Sequence, residues 1–376
     1  MASMKLPWDL EEEIISRLPP RSLVRFRSVC KRWNSVFNDQ SFLKNHLGRS
    51  RPQFIFLAES KSFSIGVDLG GGVDPRIEVC ELASDFPCQT KNVSINTIRT
   101  CDGFLFRHFW EKGVAIWNPW LRQVGWIEYE DKAFGLCGVG YDSTRSEIGY
   151  KILGRFYSLR REVDGSQRGY HRFAVYECAS QALKFIDSPF TLWPTNVDPT
   201  SVNGNLFWIG YSDEARKHVI QSFDFTRVTF NENFCLLPCE KILTGNRLIL
   251  EVFEGDRLSL LNWNYVTGMI EIWVTDNKVV VDRGEQVVWI NLMTFPTTTN
   301  LRNLINKFWG IMYYISDKTL VLCWSDDVTR EVCVYLVRED VFKKISIDYG
   351  TSLRYYHCVY VPNLFPLPLE FRSLQV

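Results

Sequence analysis

The histidines and cysteines are the side chains of this sequence that could bind a metal or form a nucleophile and base pair. Metal sites and catalytic pairs usually show ligands at short spacings such as CxxC or HExxH. The 11 cysteines contain no CxxC, and no histidine lies near the closest two, Cys235 and Cys239. The five histidines are far apart in the chain: His46, His108, His171, His218 and His357. The sequence therefore predicts no metal, no cofactor and no catalytic residue.

Two glycine-rich runs, residues 66–72 and 135–140, are candidates for binding a phosphate. A phosphate site of this kind needs a glycine loop that leads into a helix, often through Lys-Ser/Thr. The first run lacks that dipeptide and reads as a loop between strands, and the second precedes a strand. No Gly-x-Ser-x-Gly elbow is present. These patterns favour a binding protein over an enzyme.

Composition limits the kind of partner and the location. The chain has 376 residues, enough for about two or three domains, and 46% hydrophobic residues, enough for a large core. Lys plus Arg and Asp plus Glu are both 43, so a general nucleic-acid binder is disfavoured. No apolar stretch approaches the roughly 20 residues that span a bilayer, and no signal peptide is evident. We expect no membrane partner and a cytoplasmic or nuclear location.

The elements that carry function begin with a helical N-terminus. Leu10, Ile14 and Leu18 recur every four residues, which predicts one apolar face of a helix, and Ile15 widens it. Pro19 and Pro20 end that helix, and Pro20 suits the first turn of the next. Roughly 40 residues rarely form a stable core alone. The apolar faces must be covered by the rest of the chain or by a partner, and the pattern favours a partner.

This segment resembles an F-box over about residues 4–45. The resemblance is carried by Leu6-Pro7-Trp8-Asp9-Leu10, Ile14-Ile15, Leu18-Pro19, Ser22-Leu23, Arg25-Phe26-Arg27, Val29-Cys30-Lys31 and Trp33. It implies a three-helix region that binds the SKP-type adaptor of a cullin-RING (SCF) ubiquitin ligase. Gln40 departs from the family, where proline is common, and is expected in a loop after the helices. The predicted adaptor-binding residues are Leu6, Pro7, Leu10, Ile14, Leu18, Pro19, Leu23, Val29 and Trp33.

The remainder of the chain is rich in strands. Apolar residues alternate with period two in segments such as Phe173–Cys178 and Ile270–Val274, separated by turn signals such as Asp102-Gly103 and Asn203-Gly204. A turn-and-strand theme recurs about every 50 residues, which is typical of kelch-like propeller blades. Tryptophans inside these strands are predicted to pack between blades: Trp117, Trp208, Trp273 and Trp324. The sequence therefore predicts an all-β propeller of about six blades.

This part resembles the F-box-associated (type 1) domain of plants. The matching stretches are Ile116-Trp117-Asn118-Pro119, Gly140-Tyr141-Asp142, Tyr150-Lys151-Ile152, Asn203-Gly204 through Phe207-Trp208, Phe223-Asp224-Phe225, Ile270–Val274 and Tyr360-Val361-Pro362. The resemblance implies a propeller that presents substrate proteins to the ligase. Val228 is a departure, because an acidic residue is common there, and its turn is expected to differ.

Together these features predict an α+β multidomain protein: F-box 1–46, linker 47–53, propeller 54–365 and C-terminal tail 366–376. The predicted function is substrate recognition in an SCF ligase, with an unidentified target protein as second partner. The alternative is a propeller that binds a small molecule or glycan, or acts as an enzyme, with the F-box serving only its own turnover. Convergent polar groups in a central pocket would favour that alternative.

A cluster of arginines is the candidate target site. Arg155, Arg160, Arg161, Arg168 and Arg172 surround a predicted hairpin tip at residues 164–166. A solvated hairpin tip would explain the charges without a function. Arginine forks also suit carboxylates and phosphates, so a basic rim could bind an acidic or phosphorylated target segment. The predicted target-binding residues are Arg160, Arg161 and Arg168.

Overall fold

The computed structural model describes residues 6–371 apart from several internal segments. These segments are 58–60, 71–74, 83–97, 110–112, 129–132, 145–148, 162–165, 191–197, 213, 240–245, 265, 283–286, 298–310, 326–331, 339–340 and 348–355. The description below concerns the remaining residues.

Four helices open the described chain, not the three that the sequence predicts. They are α1 (Trp8–Ser16), α2 (Pro20–Phe26), α3 (Lys31–Val36) and α4 (Gln40–Arg49). Gln40 begins α4 and does not lie in a loop, because Asp39 caps that helix: its Oδ1 accepts a hydrogen bond from the Phe42 backbone N at 2.8 Å. Helix α4 thus extends into the predicted linker 47–53. Pro20 opens α2, as predicted.

The described strands form six four-stranded antiparallel sheets, which are the blades of a propeller. Blade 1 comprises β1 (Gln53–Leu57), β2 (Ser62–Asp68), β3 (Arg76–Leu82) and β24 (Tyr356–Tyr360). Blade 2 comprises β4 (Ile98–Cys101), β5 (Phe104–Phe109), β6 (Gly113–Asn118) and β7 (Gln123–Ile127). Blade 3 comprises β8 (Gly135–Tyr141), β9 (Tyr150–Arg161), β10 (Gln167–Glu177) and β11 (Ala182–Ile186).

The second half of the ring repeats this order. Blade 4 comprises β12 (Thr200–Val202), β13 (Asn205–Ser212), β14 (Lys217–Asp224) and β15 (Thr229–Leu236). Blade 5 comprises β16 (Arg247–Phe253), β17 (Arg257–Asn264), β18 (Met269–Thr275) and β19 (Trp289–Pro296). Blade 6 comprises β20 (Met312–Ser316), β21 (Thr319–Ser325), β22 (Val332–Arg338) and β23 (Val341–Ile347). The predicted six-bladed propeller is therefore confirmed.

The last strand closes the ring. β24 pairs with β1 in a register from Gln53↔Tyr360 to Leu57↔Tyr356, so the first blade contains both ends of the propeller sequence. The innermost strands β24, β4, β8, β12, β16 and β20 contact one another around the centre. Closure therefore depends on a long-range strand pair that joins residues about 300 positions apart, and loop-closure entropy opposes such a pair until the blades are packed.

Tight turns after the innermost strands define one face of the ring. Asp102 and Gly103 have φ of 47° and 72°, and Asn203 and Gly204 have 50° and 77°. Two consecutive residues with positive φ form the type I′ turn that suits antiparallel hairpins, as the Asp-Gly and Asn-Gly signals predict. The Tyr141 backbone N, at the end of β8, donates to the Gly204 carbonyl at 3.0 Å. We call this side of the propeller the turn face.

Apolar side chains fill the spaces between neighbouring blades. Trp117, Trp208 and Trp324 are buried, as predicted, whereas Trp273 is only partly buried. Beyond β24, the predicted C-terminal tail also packs where it is described. Leu367 and Phe371 join the core between blades 2 and 3, and a short 3-10 helix spans Leu369–Phe371.

The turn at Val228 carries backbone strain. Val228 follows β14 with a φ of 60°, in the left-handed region that a β-branched residue rarely adopts. We expect Val228→Asn to have a free energy of unfolding about 1 kcal/mol above that of Val228→Ala, because both lose the packing of Val228 on the core between blades 3 and 4 and only asparagine tolerates this conformation. Denaturant unfolding of the full chain measures the change. Val228→Ala is the matched control, since it removes the same packing and keeps the strain; equal stabilities of the two variants would contradict the strain.

Candidate functional site

The four helices pack partly on the protein's own propeller. A buried cluster joins the helices through Ile15, Leu23, Val36, Phe37, Phe42 and Leu43, and it includes Leu364 from the segment after β24. The Arg27 guanidinium donates to the Phe37 and Leu364 carbonyls, each at 3.3 Å. One side of the helical region is therefore covered by the rest of the chain. This is the first of the two possibilities that the sequence left open, the other being cover by a partner.

The other side of the helical region exposes apolar side chains. Leu6, Leu10, Ile14 and Val29 are 45–60% exposed, although they are large and hydrophobic. Pro7 and Pro19 are also exposed, whereas Leu18 and Trp33 are half-buried. Leu23 is completely buried and holds the helices together. The nine predicted adaptor-binding residues thus divide into six that are open to a partner, two that border the internal cluster and one that lies inside it.

Helical geometry explains this division within α1. Leu10 and Ile14 are four residues apart and share one face, while Ile15 lies on the neighbouring face that turns inward and Leu18 follows the end of α1. The predicted apolar stripe therefore combines residues that face solvent with residues that face the internal cluster. We call Leu6, Leu10, Ile14 and Val29 the exposed helical patch.

Polar contacts fix how α4 lies against α1. The His46 Nε2 lies 3.1 Å from the Leu18 carbonyl, and burial lowers the pKa of His46. Glu13 accepts hydrogen bonds from Arg17 and from Arg49 of α4, and these bonds lower the pKa of the Glu13 carboxyl. A neutral histidine and an ionised glutamate therefore favour the docked position of α4 at neutral pH.

Two buried asparagines connect ring closure to the helices. Asn118 and Asn363 are both fully buried. The Asn118 Nδ2 donates to the Asn363 Oδ1 at 2.8 Å and to the Phe365 carbonyl at 2.9 Å. The Asn363 Nδ2 donates to the Asp102 carbonyl in the turn of blade 2 at 2.6 Å. Because Leu364 follows Asn363 directly, this link places the helices on the turn face. In the sequence, Asn118-Pro119 signals a turn but not this contact.

The predicted target-binding arginines lie on the face of the ring opposite the turn face. They belong to the hairpin of β9 and β10, whose register pairs Arg160 with Arg168 and Arg161 with Gln167. All three arginines are exposed. The β9–β10 connection joins the second and third strands of its blade. Since successive connections in an antiparallel sheet alternate between its two ends, the hairpin tip points away from the turn face.

Charged groups also meet near the centre of the ring. The Arg99 guanidinium donates to the Cys137 carbonyl at 2.9 Å and to the Asp198 carboxylate at 3.1 Å, so it ties three blades together. Burial, with a smaller contribution from Asp198, raises the pKa of Glu251 to about 8. Arg99 and Asp198 are thus occupied by structural contacts, and Glu251 is largely protonated at neutral pH.

Two concave sites among the described residues lie on the outer wall. A groove of about 870 Å³ runs between blades 4 and 5 and is lined by apolar residues that include Leu236, Pro238, Trp273 and Trp289. A smaller, polar groove of about 480 Å³ adjoins it. Trp273 therefore borders a surface groove, which explains its partial exposure.

The residues that could do chemistry are dispersed. Among the described residues, no group of three or more His, Cys, Asp or Glu side chains could hold a metal ion. The run 135–140 lies within β8, and the run 66–72, predicted as a loop, begins inside β2; its last two residues lie outside the described chain. Neither run leads into a helix among the described residues. No helix in the described part of the chain is long and apolar enough to cross a membrane.

An exposed apolar patch on short helices, joined to a six-bladed propeller, defines a two-part binding protein. Family models match the F-box domain at residues 4–45 and the F-box associated beta propeller domain at residues 53–367. Two similar proteins come from Arabidopsis thaliana. F-box protein At3g17710 is 56% identical, and the match covers 98% of this chain and 99% of that protein. Protein SUPPRESSOR OF NIM1 1 is 44% identical, and the match covers 97% of this chain and 99% of that protein.

The chain belongs to the family of F-box proteins with an F-box-associated β-propeller domain. This pair of domains is that of the SCF substrate-receptor family. Members of that family are generally adaptor-type proteins and not catalysts.

The asparagine link can be tested by removing one side chain. We expect Asn363→Ala to lower the free energy of unfolding by about 2 kcal/mol, because the buried Asp102 carbonyl and the Phe365 backbone N would each lose a side-chain partner and Asn118 would lose one of its acceptors. Denaturant unfolding measures the loss, and amide hydrogen exchange should show faster opening of α2 and α4. Asn277→Ala is the control, since Asn277 is exposed. Equal exchange rates in the helices of both variants would refute the coupling.

Proposed function

We propose that this protein is the substrate-recognition subunit of an SCF-type (cullin-RING) ubiquitin ligase. In this proposal the helices bind a SKP-type adaptor, and through it the cullin-RING subunits, while the propeller captures a target protein for ubiquitination. The observation that carries the proposal is the exposed helical patch, because four large apolar side chains open to solvent on one small helical region usually mark a protein interface.

Energetics favour a partner at this patch. Burying one leucine or isoleucine side chain contributes about 1.5–3 kcal/mol. Leu10 and Ile14 lie one turn apart on α1 and are each more than half exposed, so a complementary groove could bury both together. The internal cluster at Leu23 and Phe37 keeps the helices in place, and the patch is therefore presented in advance of binding.

The propeller supports the second part of the proposal by its orientation. The helices sit on the turn face, and the β9–β10 hairpin with Arg160, Arg161 and Arg168 points from the opposite face. A target bound at the hairpin would not compete with an adaptor at the helices. Such a receptor acts by proximity, because it raises the effective concentration of the target near the ubiquitin-transferring subunits. The chain itself needs no catalytic residue for this role.

Adaptor binding is the direct test. We expect Leu10→Ser combined with Ile14→Ser to weaken binding of a recombinant plant SKP-type adaptor by about 100-fold, since about 3 kcal/mol of apolar burial is lost. Unfolding should change little, because both side chains are exposed. Calorimetric titration measures the affinity.

Two further variants complete that test. Val266→Ser with Val288→Ser removes exposed apolar side chains from blade 5 and should leave adaptor binding unchanged. Leu23→Ala should instead lower the free energy of unfolding by about 2–5 kcal/mol, because Leu23 is buried. Wild-type affinity in the Leu10 and Ile14 double variant would overturn the proposed adaptor surface.

A further inference from the structure

The hairpin of β9 and β10 projects beyond the rest of blade 3. Pairing of β8 with β9 stops at Gly135↔Arg155, and pairing of β11 with β10 stops at Phe173↔Ile186. Beyond these points, residues 156–161 and 167–172 pair only with each other in the described part of the chain. At about 3.4 Å per residue, this two-stranded ribbon extends for about 20 Å. No other strand among the described residues pairs with either outer edge of this ribbon.

The two faces of this ribbon differ in chemistry. One face carries Tyr157 and Leu159, which are 62% and 57% exposed, with His171 opposite Tyr157 and with Arg161 at the tip end. The rings of Tyr157 and His171 meet edge to face with centroids 5.8 Å apart, and the Tyr157 ring covers Gly169, where a Cβ would collide with it. We call Tyr157, Leu159 and His171 the apolar face of the hairpin.

The other face is basic. Arg160 and Arg168 are directly opposite each other, and Arg172 lies on the same side, four residues from Arg168. The Arg172 guanidinium stacks on the Phe185 ring at 4.0 Å, which fixes its position. Arg160, Arg168 and Arg172 form the basic face of the hairpin.

The Arg160–Arg168 pair places two like charges directly opposite each other. Side chains directly opposite in an antiparallel pair have Cβ atoms about 5 Å apart, and like charges there repel. Neither arginine makes an ion pair with a described residue. Two adjacent guanidinium forks can bind one carboxylate by charge-assisted hydrogen bonds. Arg172 provides a second basic centre about 14 Å along the strand, the distance between residues i and i+4 of an extended chain.

We propose that this ribbon binds an extended acidic segment of the target protein as an added β-strand. Side chains of a strand alternate between its two faces, so the bound segment needs acidic residues at positions i and i+4 for the basic face. Apolar residues at i+1 and i+3 then contact the apolar face. The ligand is an alternating acidic and apolar strand that carries carboxylates. The inference rests on the proposed function only in assigning this strand to a protein that the ligase modifies.

Charge at an open sheet edge has a simpler use, which is to prevent edge-to-edge aggregation. That use predicts no preference for any peptide. The proposed site instead requires both negative charge and the correct alternation of acidic and apolar residues along the bound strand. Two peptides of identical composition therefore distinguish the two explanations.

The test uses the full chain and two fluorescein-labelled peptides. The in-phase peptide contains Glu-Val-Thr-Val-Glu, and the out-of-phase peptide contains Glu-Glu-Thr-Val-Val. We expect fluorescence anisotropy to show at least about tenfold tighter binding of the in-phase peptide. Equal affinities that vanish together at about 0.3 M salt would indicate simple charge attraction and would overturn the proposal.

Variants then locate the binding. Arg160→Glu with Arg168→Glu should weaken binding of the in-phase peptide by at least about tenfold. Lys217→Glu with Lys278→Glu makes the same change of net charge at exposed positions elsewhere and should have no effect. Tyr157→Ser with Leu159→Ser should abolish the preference for the in-phase peptide. If Arg160→Ala with Arg168→Ala self-associates on a sizing column and still binds this peptide normally, the arginines only protect the edge and the proposal is wrong.

Two more arms complete the experiment. A peptide with phosphoserine in place of both glutamates should bind no more tightly than the glutamate peptide, and tighter binding would overturn the assignment to carboxylates. The Arg160→Glu and Arg168→Glu variant should still bind the SKP-type adaptor like the wild type. A wild-type chain that binds the in-phase peptide but no adaptor would contradict the proposed ligase role and leave the hairpin site standing.

Discussion

The buried hydrogen bonds between Asn118 and Asn363 are the interaction on which the arrangement of the molecule depends. β24 closes the ring by pairing with β1, and Asn363 follows it within three residues. The same asparagine bonds to the turn of blade 2, and the next residue, Leu364, enters the cluster that holds the helices. Amides buried at 0% exposure need their partners, since an unpaired one costs about 1–3 kcal/mol. Ring closure and helix docking therefore share one segment, residues 360–364.

The features that could be predicted from the sequence are those that depend on local patterns. Period-two alternation predicts the strands, and Asp102-Gly103 and Asn203-Gly204 predict their turns, because a type I′ turn needs residues that tolerate positive φ. The F-box motif likewise depends on short spacings. Contacts between distant residues leave no such pattern. Leu367 and Phe371 lie in the segment predicted as a C-terminal tail, yet they are buried in the core between blades 2 and 3.

The helical region shows the same limit at finer scale. α1 has apolar residues on two adjacent faces, and helical periodicity cannot tell which face meets the propeller and which remains open. In the structure, Ile15 and Leu23 share a buried cluster with Leu364, whereas Leu10 and Ile14 are exposed. For the arginines, sequence spacing suggests a cluster but not a pairing. Only the strand register places Arg160 opposite Arg168 and sends Arg161 to the other face.

Strand order determines that the two surfaces are far apart. In a four-stranded antiparallel blade, the first and third connections share one end and the second connection lies at the other. The helices dock on the turn face, near Asp102 and Leu121, where the first and third connections lie. The long hairpin of blade 3 is the second connection of its blade and lies on the opposite face. The ribbon beyond Phe156 contributes little to the core, since Tyr157 and Leu159 are mostly exposed. Substitutions at these two exposed residues should therefore cost little in folding, which suits the target-binding role proposed for this hairpin.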